Sequence, residues 1–193
     1  YYNKFIEKFP TIESLSDAKE DDVLNVWQGL GYYSRARNIH YTSKMLKEKY
    51  SSIFPNKYDE IISLKGIGRY TTGAILSFAF KKKFPVVDGN VFRLFSRLFF
   101  IDKFIDTIGG QNYFYNVAED LICEKNPDLF NQAIIEYGAM VCKPKNPTCK
   151  TCIFNHQCEA HKKNKVFELP LKKNSVRTTD RFLIFILGTK NNI

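Results

Sequence analysis

From Tyr1 to about Tyr137 apolar residues recur at three- and four-residue spacing, as in Val23, Leu24, Trp27 and Leu30, then Ile39, Met45 and Leu46, then Ile61, Ile62 and Leu64. That period puts apolar side chains on one face of a helix, and the alternation of a half-buried strand is absent there. Glycine and proline punctuate the pattern. Gly29 and Gly31 close one segment, Pro55-Asn56 opens another, Gly66 and Gly68 break a third, and Pro85 ends a fourth after the lysines. The expected fold is all-α, an array of short helices, the first amphipathic with Phe5, Ile6 and Phe9 on one side.

The pattern changes twice. At Cys142 prolines, lysines and clustered cysteines replace the period, and from about Asn164 to Thr179 a basic, polar stretch reads as a linker. Phe182 to Leu187 is then a continuous apolar run closed by Gly188, which suits a buried β-strand. No partner strand follows it, and the chain starts inside an amphipathic pattern without a Met. The sequence is therefore expected to be cut short at both ends.

At 193 residues and 44% hydrophobic, the chain can hold one large domain or two small ones. Lys and Arg outnumber Asp and Glu by 29 to 20, a formal charge of +9, the balance of a protein with a polyanionic partner, nucleic acid foremost. No run of about 18 apolar residues occurs, and Tyr1 to Lys4 begin no basic leader with an apolar core, so an intracellular protein off the membrane is expected. Lys81-Lys82-Lys83 reads as a solvated helix end.

Cys142, Cys149, Cys152 and Cys158 follow the spacing C-x6-C-x2-C-x5-C, which supplies four thiolates from one short segment. Disulfides fit an intracellular basic protein poorly. Zinc accepts four thiolates and stays open, while an iron-sulfur cluster suits a set with only one close cysteine pair. Lys143 and Lys145, with Lys150, Lys162, Lys163 and Lys165 nearby, would then face phosphates from an ordered loop. Cys123, among Val117, Leu121 and Ile122, reads as a buried structural thiol.

Leu64-Lys65-Gly66-Ile67-Gly68-Arg69-Tyr70 lies between two helical patterns, within the longer string L-x-G-I-G-x-Y-T-x-G-A. Glycines there permit positive φ and let backbone N–H groups crowd one point, where they bind a phosphate oxygen without reading sequence. Downstream, Val86-Val87-Asp88-Gly89-Asn90-Val91 sets one carboxylate before a helix. Asp88 is a natural N-cap, and a carboxylate so placed can also stabilise positive charge developing on a sugar ring.

Together with Trp27-Gln28-Gly29-Leu30-Gly31-Tyr32-Tyr33 and Phe130-Asn131-Gln132-Ala133, these strings resemble the helix-hairpin-helix, iron-sulfur DNA glycosylase superfamily, and within it the MutY-type adenine glycosylases. The resemblance runs from about Tyr1 to Cys158. It implies a 4Fe-4S cluster on Cys142, Cys149, Cys152 and Cys158, and a double-stranded DNA partner carrying adenine opposite 8-oxoguanine. The nucleotide is flipped out and its N-glycosidic bond hydrolysed. Asp88 matches the carboxylate that stabilises or bonds to the oxocarbenium-like sugar, Asn90 the residue that orients it, and Tyr70 a polar position beside the reacting nucleotide. Gln132 matches the contact to the flipped adenine and Tyr32 the wedge beside the damaged guanine. Gly66, Ile67 and Gly68 match the phosphate-binding hairpin.

Endonuclease III-type relatives carry a Lys where this chain has Tyr70, and a Schiff base needs that amine, so a monofunctional enzyme is implied. The family's general-acid Glu lies upstream of Tyr1, and neither Glu7 nor Glu13 matches its motif, so this chain is expected to bind and to react slowly. A catalytically silent DNA-binding module and an endonuclease III-like lyase are the alternatives. The resemblance implies a monomer in a cytoplasmic, nucleoid-associated setting. It also implies a helical lobe over residues 17–123, an iron-sulfur lobe from 1–16 with 124–161, and DNA in the cleft near Asp88. A linker over 162–180 and the first strand of a Nudix-like domain in 181–193 complete the expected order.

Overall fold

A computed structural model describes residues 1–174, and these are helical with no strand among them. The expected strand over residues 182–187, and the last part of the expected linker, lie outside the described residues. Helices α1 (Tyr2–Lys8), α2 (Ile12–Ser16), α3 (Glu20–Trp27) and α4 (Tyr33–Tyr50) come first. Then come α5 (Tyr58–Ile62) and α6 (Arg69–Ala74), the latter running on into a π-helical turn at Ile75–Ala79. Helices α7 (Gly89–Leu98), α8 (Ile108–Leu121), α9 (Pro127–Met140) and α10 (Glu159–Lys162) complete the set, with 3-10 turns at Cys149–Thr151 and Val166–Glu168.

Local chemistry fixes the helix starts. At α2 the Thr11 hydroxyl accepts from Ser14 N at 3.1 Å and the Ser14 hydroxyl accepts from Thr11 N at 3.0 Å, a reciprocal cap. Three acids, Glu20, Asp21 and Asp22, meet the positive end of α3, Thr107 caps α8, and Pro127 opens α9, where its missing N–H costs nothing. The apolar faces pack into separate clusters. Phe9, Leu15, Val23 and Ala36 form one, edged by Phe5 and Trp27 with ring centroids 5.8 Å apart. Val87, Val91, Leu94, Phe95, Phe114 and Ala118 form a second, against which Ile134 and Ile135 of α9 pack. Burying a side chain such as Phe114 contributes roughly 1.5–3 kcal/mol, so α7, α8 and α9 hold one another.

Four expectations need correction. Ile6 is 43% exposed, and only Phe9 of the predicted face is buried, just past the end of α1. Leu30 and Ile39 are exposed although they keep the helical period. The fourth helical segment stops at Ala79, short of Pro85: Lys81 takes φ 54° and Lys82 N turns back to Leu76 O at 2.9 Å. The three lysines therefore follow the helix end, where Lys81 pairs with Asp128 and Lys83 with Glu124. Cys123 is exposed, because α8 ends at Leu121, Ile122 turns inward in extended backbone, and the next side chain must face out. Among the described residues no helix is long and apolar enough to cross a membrane.

Candidate functional site

The turn between α5 and α6 hangs from Leu64, which is buried, and closes with Ile67 N on Leu64 O at 3.1 Å. Gly66 sits at φ 81°, and a Cβ there would stand 2.4 Å from Asn38 Nδ2. Gly68 takes an ordinary negative φ of −108°, with open space where its side chain would be. Positive φ is thus required only at Gly66, and Gly68 contributes bare backbone at the start of α6. Arg69 pins that start to α8: its guanidinium lies 3.7 Å over the Tyr115 ring and donates to Asn112 Oδ1. Gly66→Ala should lower stability by about 1–3 kcal/mol in urea unfolding, and Gly68→Ala by less than about 1 kcal/mol. Equal losses would contradict this division of labour.

Asp88 caps α7. Its Oδ1 accepts from Asn90 N and Val91 N, both at 2.9 Å, and its Oδ2 accepts from Asn90 Nδ2 at 2.7 Å. The carboxylate is thereby fixed in plane at the positive end of a helix. Asn90 is held in turn: its Oδ1 accepts from Arg93 NH2 at 2.8 Å. Gly138 of α9 faces Asn90 so closely that a Cβ would stand 2.7 Å from Asn90 O. Tyr70, half-exposed on α6, is near enough that the charge of Asp88, after burial, raises its phenol above the ordinary value.

The other sequence-predicted residues lie on the surface. Tyr32 is 77% exposed, precedes α4 at a positive φ of 48°, and lies under Arg35, whose guanidinium is 5.2 Å from the ring centroid. Left-handed backbone at a tyrosine costs of order 1–3 kcal/mol. Gln132, on α9, is exposed and donates to Glu136 Oε1. A cleft of roughly 720 Å³ lies beside the turn, with Arg35, Asn38, Lys65, Gly66, Ile67 and Tyr70 among its walls. Lys143 and Lys145 are exposed on the loop after α9.

Cys142, Cys149, Cys152 and Cys158 all line one cavity, roofed by Val166 and flanked by Arg97. Burial, then the neighbouring thiols, pushes the Cys149 thiol up, and burial does the same at Cys158. The Tyr137 hydroxyl lies 3.0 Å from Cys152 Sγ, and burial together with that contact pushes the phenol up to about 12. Among the described residues no three His, Cys, Asp or Glu side chains form a group close enough for one metal ion.

Two arginines escaped the sequence reading. Arg93 and Arg97 are 8% and 3% exposed in α7. Arg93 Nε donates to Cys142 O at 2.6 Å and its NH2 to Gly138 O at 2.7 Å. Arg97 donates to Lys143 O at 2.8 Å and Leu169 O at 3.2 Å. One helix thus joins the Asp88 cap to the cysteine loop. The available signal was a pair of cations four residues apart inside the apolar run Val91–Leu98.

A helical scaffold with a glycine turn and an aspartate-capped helix agrees with the family model that matches residues 1–109, described as HhH-GPD superfamily base excision DNA repair protein. The chain belongs to the HhH-GPD superfamily of base excision DNA repair proteins. It is similar to the adenine DNA glycosylase of Buchnera aphidicola subsp. Baizongia pistaciae, 42% identical over 198 residues that cover 100% of this chain and 55% of that protein. The adenine DNA glycosylase of Homo sapiens is 35% identical over 164 residues, 84% of this chain and 30% of that protein. The chain spans about half the length of the curated bacterial relatives it matches. Among solved structures, a non-covalent endonuclease III-DNA complex superimposes with a TM-score of 0.73 at 27% identity, covering 84% of this chain and 75% of the other. A thermostable thymine-DNA glycosylase shares the fold, with a TM-score of 0.78 at 24% identity over the same shares of the two chains.

Proposed function

We propose that this chain is the DNA-handling part of an adenine DNA glycosylase, which hydrolyses the N-glycosidic bond of adenine opposite 8-oxoguanine in double-stranded DNA. The observation that carries the reading is the seat of Asp88, held by two backbone N–H groups and the Asn90 amide beside Tyr70. A carboxylate fixed before reaction stabilises a sugar cation at no reorganisation cost. Relatives at 42% and 40% identity that bear the name adenine DNA glycosylase support adenine as the base.

On this reading the bare backbone at Gly66, Ile67 and Gly68 takes a phosphate, and Tyr32 enters the stack opposite the extruded nucleotide. Gln132 contacts the flipped adenine, and Asn90 keeps the Asp88 carboxylate facing the sugar. The proton for the departing base is assigned to the family's general-acid Glu, whose motif neither Glu7 nor Glu13 matches.

The four cysteines fit a 4Fe-4S cluster. Their donor set is all sulfur, and all four line one cavity. When bound, the cluster supplies a rigid frame for its loop. Lys143 and Lys145 then meet the DNA backbone at fixed positions, with Arg97 holding the carbonyls between them and α7.

Tyr70 separates this reading from that of a lyase. Borohydride should trap no covalent complex between the protein and abasic DNA, since a phenol forms no Schiff base. Efficient trapping would place an amine at the sugar and overturn the monofunctional assignment.

A further inference from the structure

We propose that Asn131 is the positioning residue that seats Asp88; the proposal rests on the reading of Asp88 as the reacting carboxylate. The chain from Lys82 to Asp88 has no regular structure, yet Val86 and Val87 are buried. Its buried backbone groups must therefore find partners outside any sheet or helix. Asn131, fully enclosed on α9, provides them. Its Oδ1 accepts from Val86 N at 3.0 Å, and its Nδ2 donates to Phe84 O at 2.9 Å and to Ser77 Oγ at 2.8 Å.

One amide thus bonds the carbonyl before Pro85 and the N–H after it. Those are the two groups that a single residue of a neighbouring strand would bond in a parallel ladder. Both Nδ2 protons and the oxygen are used, and no other uncharged side chain of this size offers that set. The third bond reaches Ser77 in the π turn that follows Tyr70, so the same residue ties the Tyr70 element to the approach to Asp88. Gly73 presses from the other side, where a Cβ would stand 2.6 Å from Pro85 O. Asp88 lies two residues beyond Val86 and inherits its position from this knot.

Asn131→Asp keeps the shape and replaces the double donor with an acceptor facing Phe84 O. The test is amide hydrogen exchange in the wild type and the variant, followed by single-turnover adenine release by each joined to the family segment that carries the general-acid Glu. In the wild type, the Val86 amide should exchange slowly. In the variant, the amides of Val86, Asn90 and Val91 should exchange about tenfold faster or more, while that of Phe114 in α8 is unchanged. Release should fall about 30-fold with duplex affinity changed by less than about threefold.

A wild-type Val86 amide as fast as a free loop would overturn the proposal, and so would unchanged exchange at Asn90 and Val91 in the variant. Should Asn131→Asp fail to fold, Ser77→Ala frees one of the two Nδ2 protons. It should speed the same three amides about threefold, and no change would again overturn the proposal. A wild type that releases no adenine sinks the functional reading alone, since exchange still decides the role of Asn131.

Discussion

In the chain joined to the family segment that carries the general-acid Glu, Asp88→Asn is expected to lower the single-turnover rate of adenine release by at least about 100-fold, the loss that follows removal of one preorganised electrostatic group. Fold and affinity should change little, because Asn caps a helix about as well as Asp and its side-chain oxygen can accept from Asn90 N and Val91 N as Asp88 does. The substitution therefore removes the charge and the bond from Asn90 Nδ2 to Oδ2, and leaves the two backbone bonds of the cap. Release and thermal unfolding would be measured side by side, with affinity taken on abasic duplex. A large stability loss with matching losses of rate and affinity would make Asp88 a structural cap and nothing more.

Cys149→Ser is expected to abolish the visible absorbance that iron-thiolate charge transfer gives and to weaken duplex binding by about tenfold or more. Cys149 packs with Cys158 against Ala160, Val166 and Leu169, so its loss loosens the whole loop that carries Lys143 and Lys145. The mechanism is readable in salt: every phosphate that the loosened loop no longer neutralises should reduce the slope of log affinity against log salt by about 0.9. Full colour in the variant would remove Cys149 from the ligand set. Full colour loss with an unchanged salt slope would separate the cluster from DNA binding.

The helical framework was legible because α3, α4 and α5 carry apolar residues at helical spacing, with Gly29 and Gly31 between α3 and α4 and Pro55 ahead of α5. The period alone could not say how far each stripe is covered. Ile39 keeps the period of α4 yet stays exposed. Cys123 was misread for a related reason: its neighbours are apolar, but direction is set by where α8 ends and the backbone straightens.

The Asp88 cap was visible in sequence because a cap is a contact over two or three residues. Asn131 was not, since it meets Val86 across 45 residues and only the packing of α9 on the π turn brings them together. Arg93 and Arg97 were hidden likewise. Their partners are backbone carbonyls of Cys142 and Lys143, which no side-chain pattern marks.

Every role assigned to Asp88, Asn90 and Gln132 depends on adenine being the base removed. Single-turnover base release by the chain joined to the family segment that carries the general-acid Glu decides it, from a duplex with one 8-oxoguanine:adenine pair beside duplexes in which cytosine or thymine replaces the adenine. Free adenine alone should be released, with the strand nicked only after alkali. No adenine released, or release of a pyrimidine with strand cleavage, would refute the assignment.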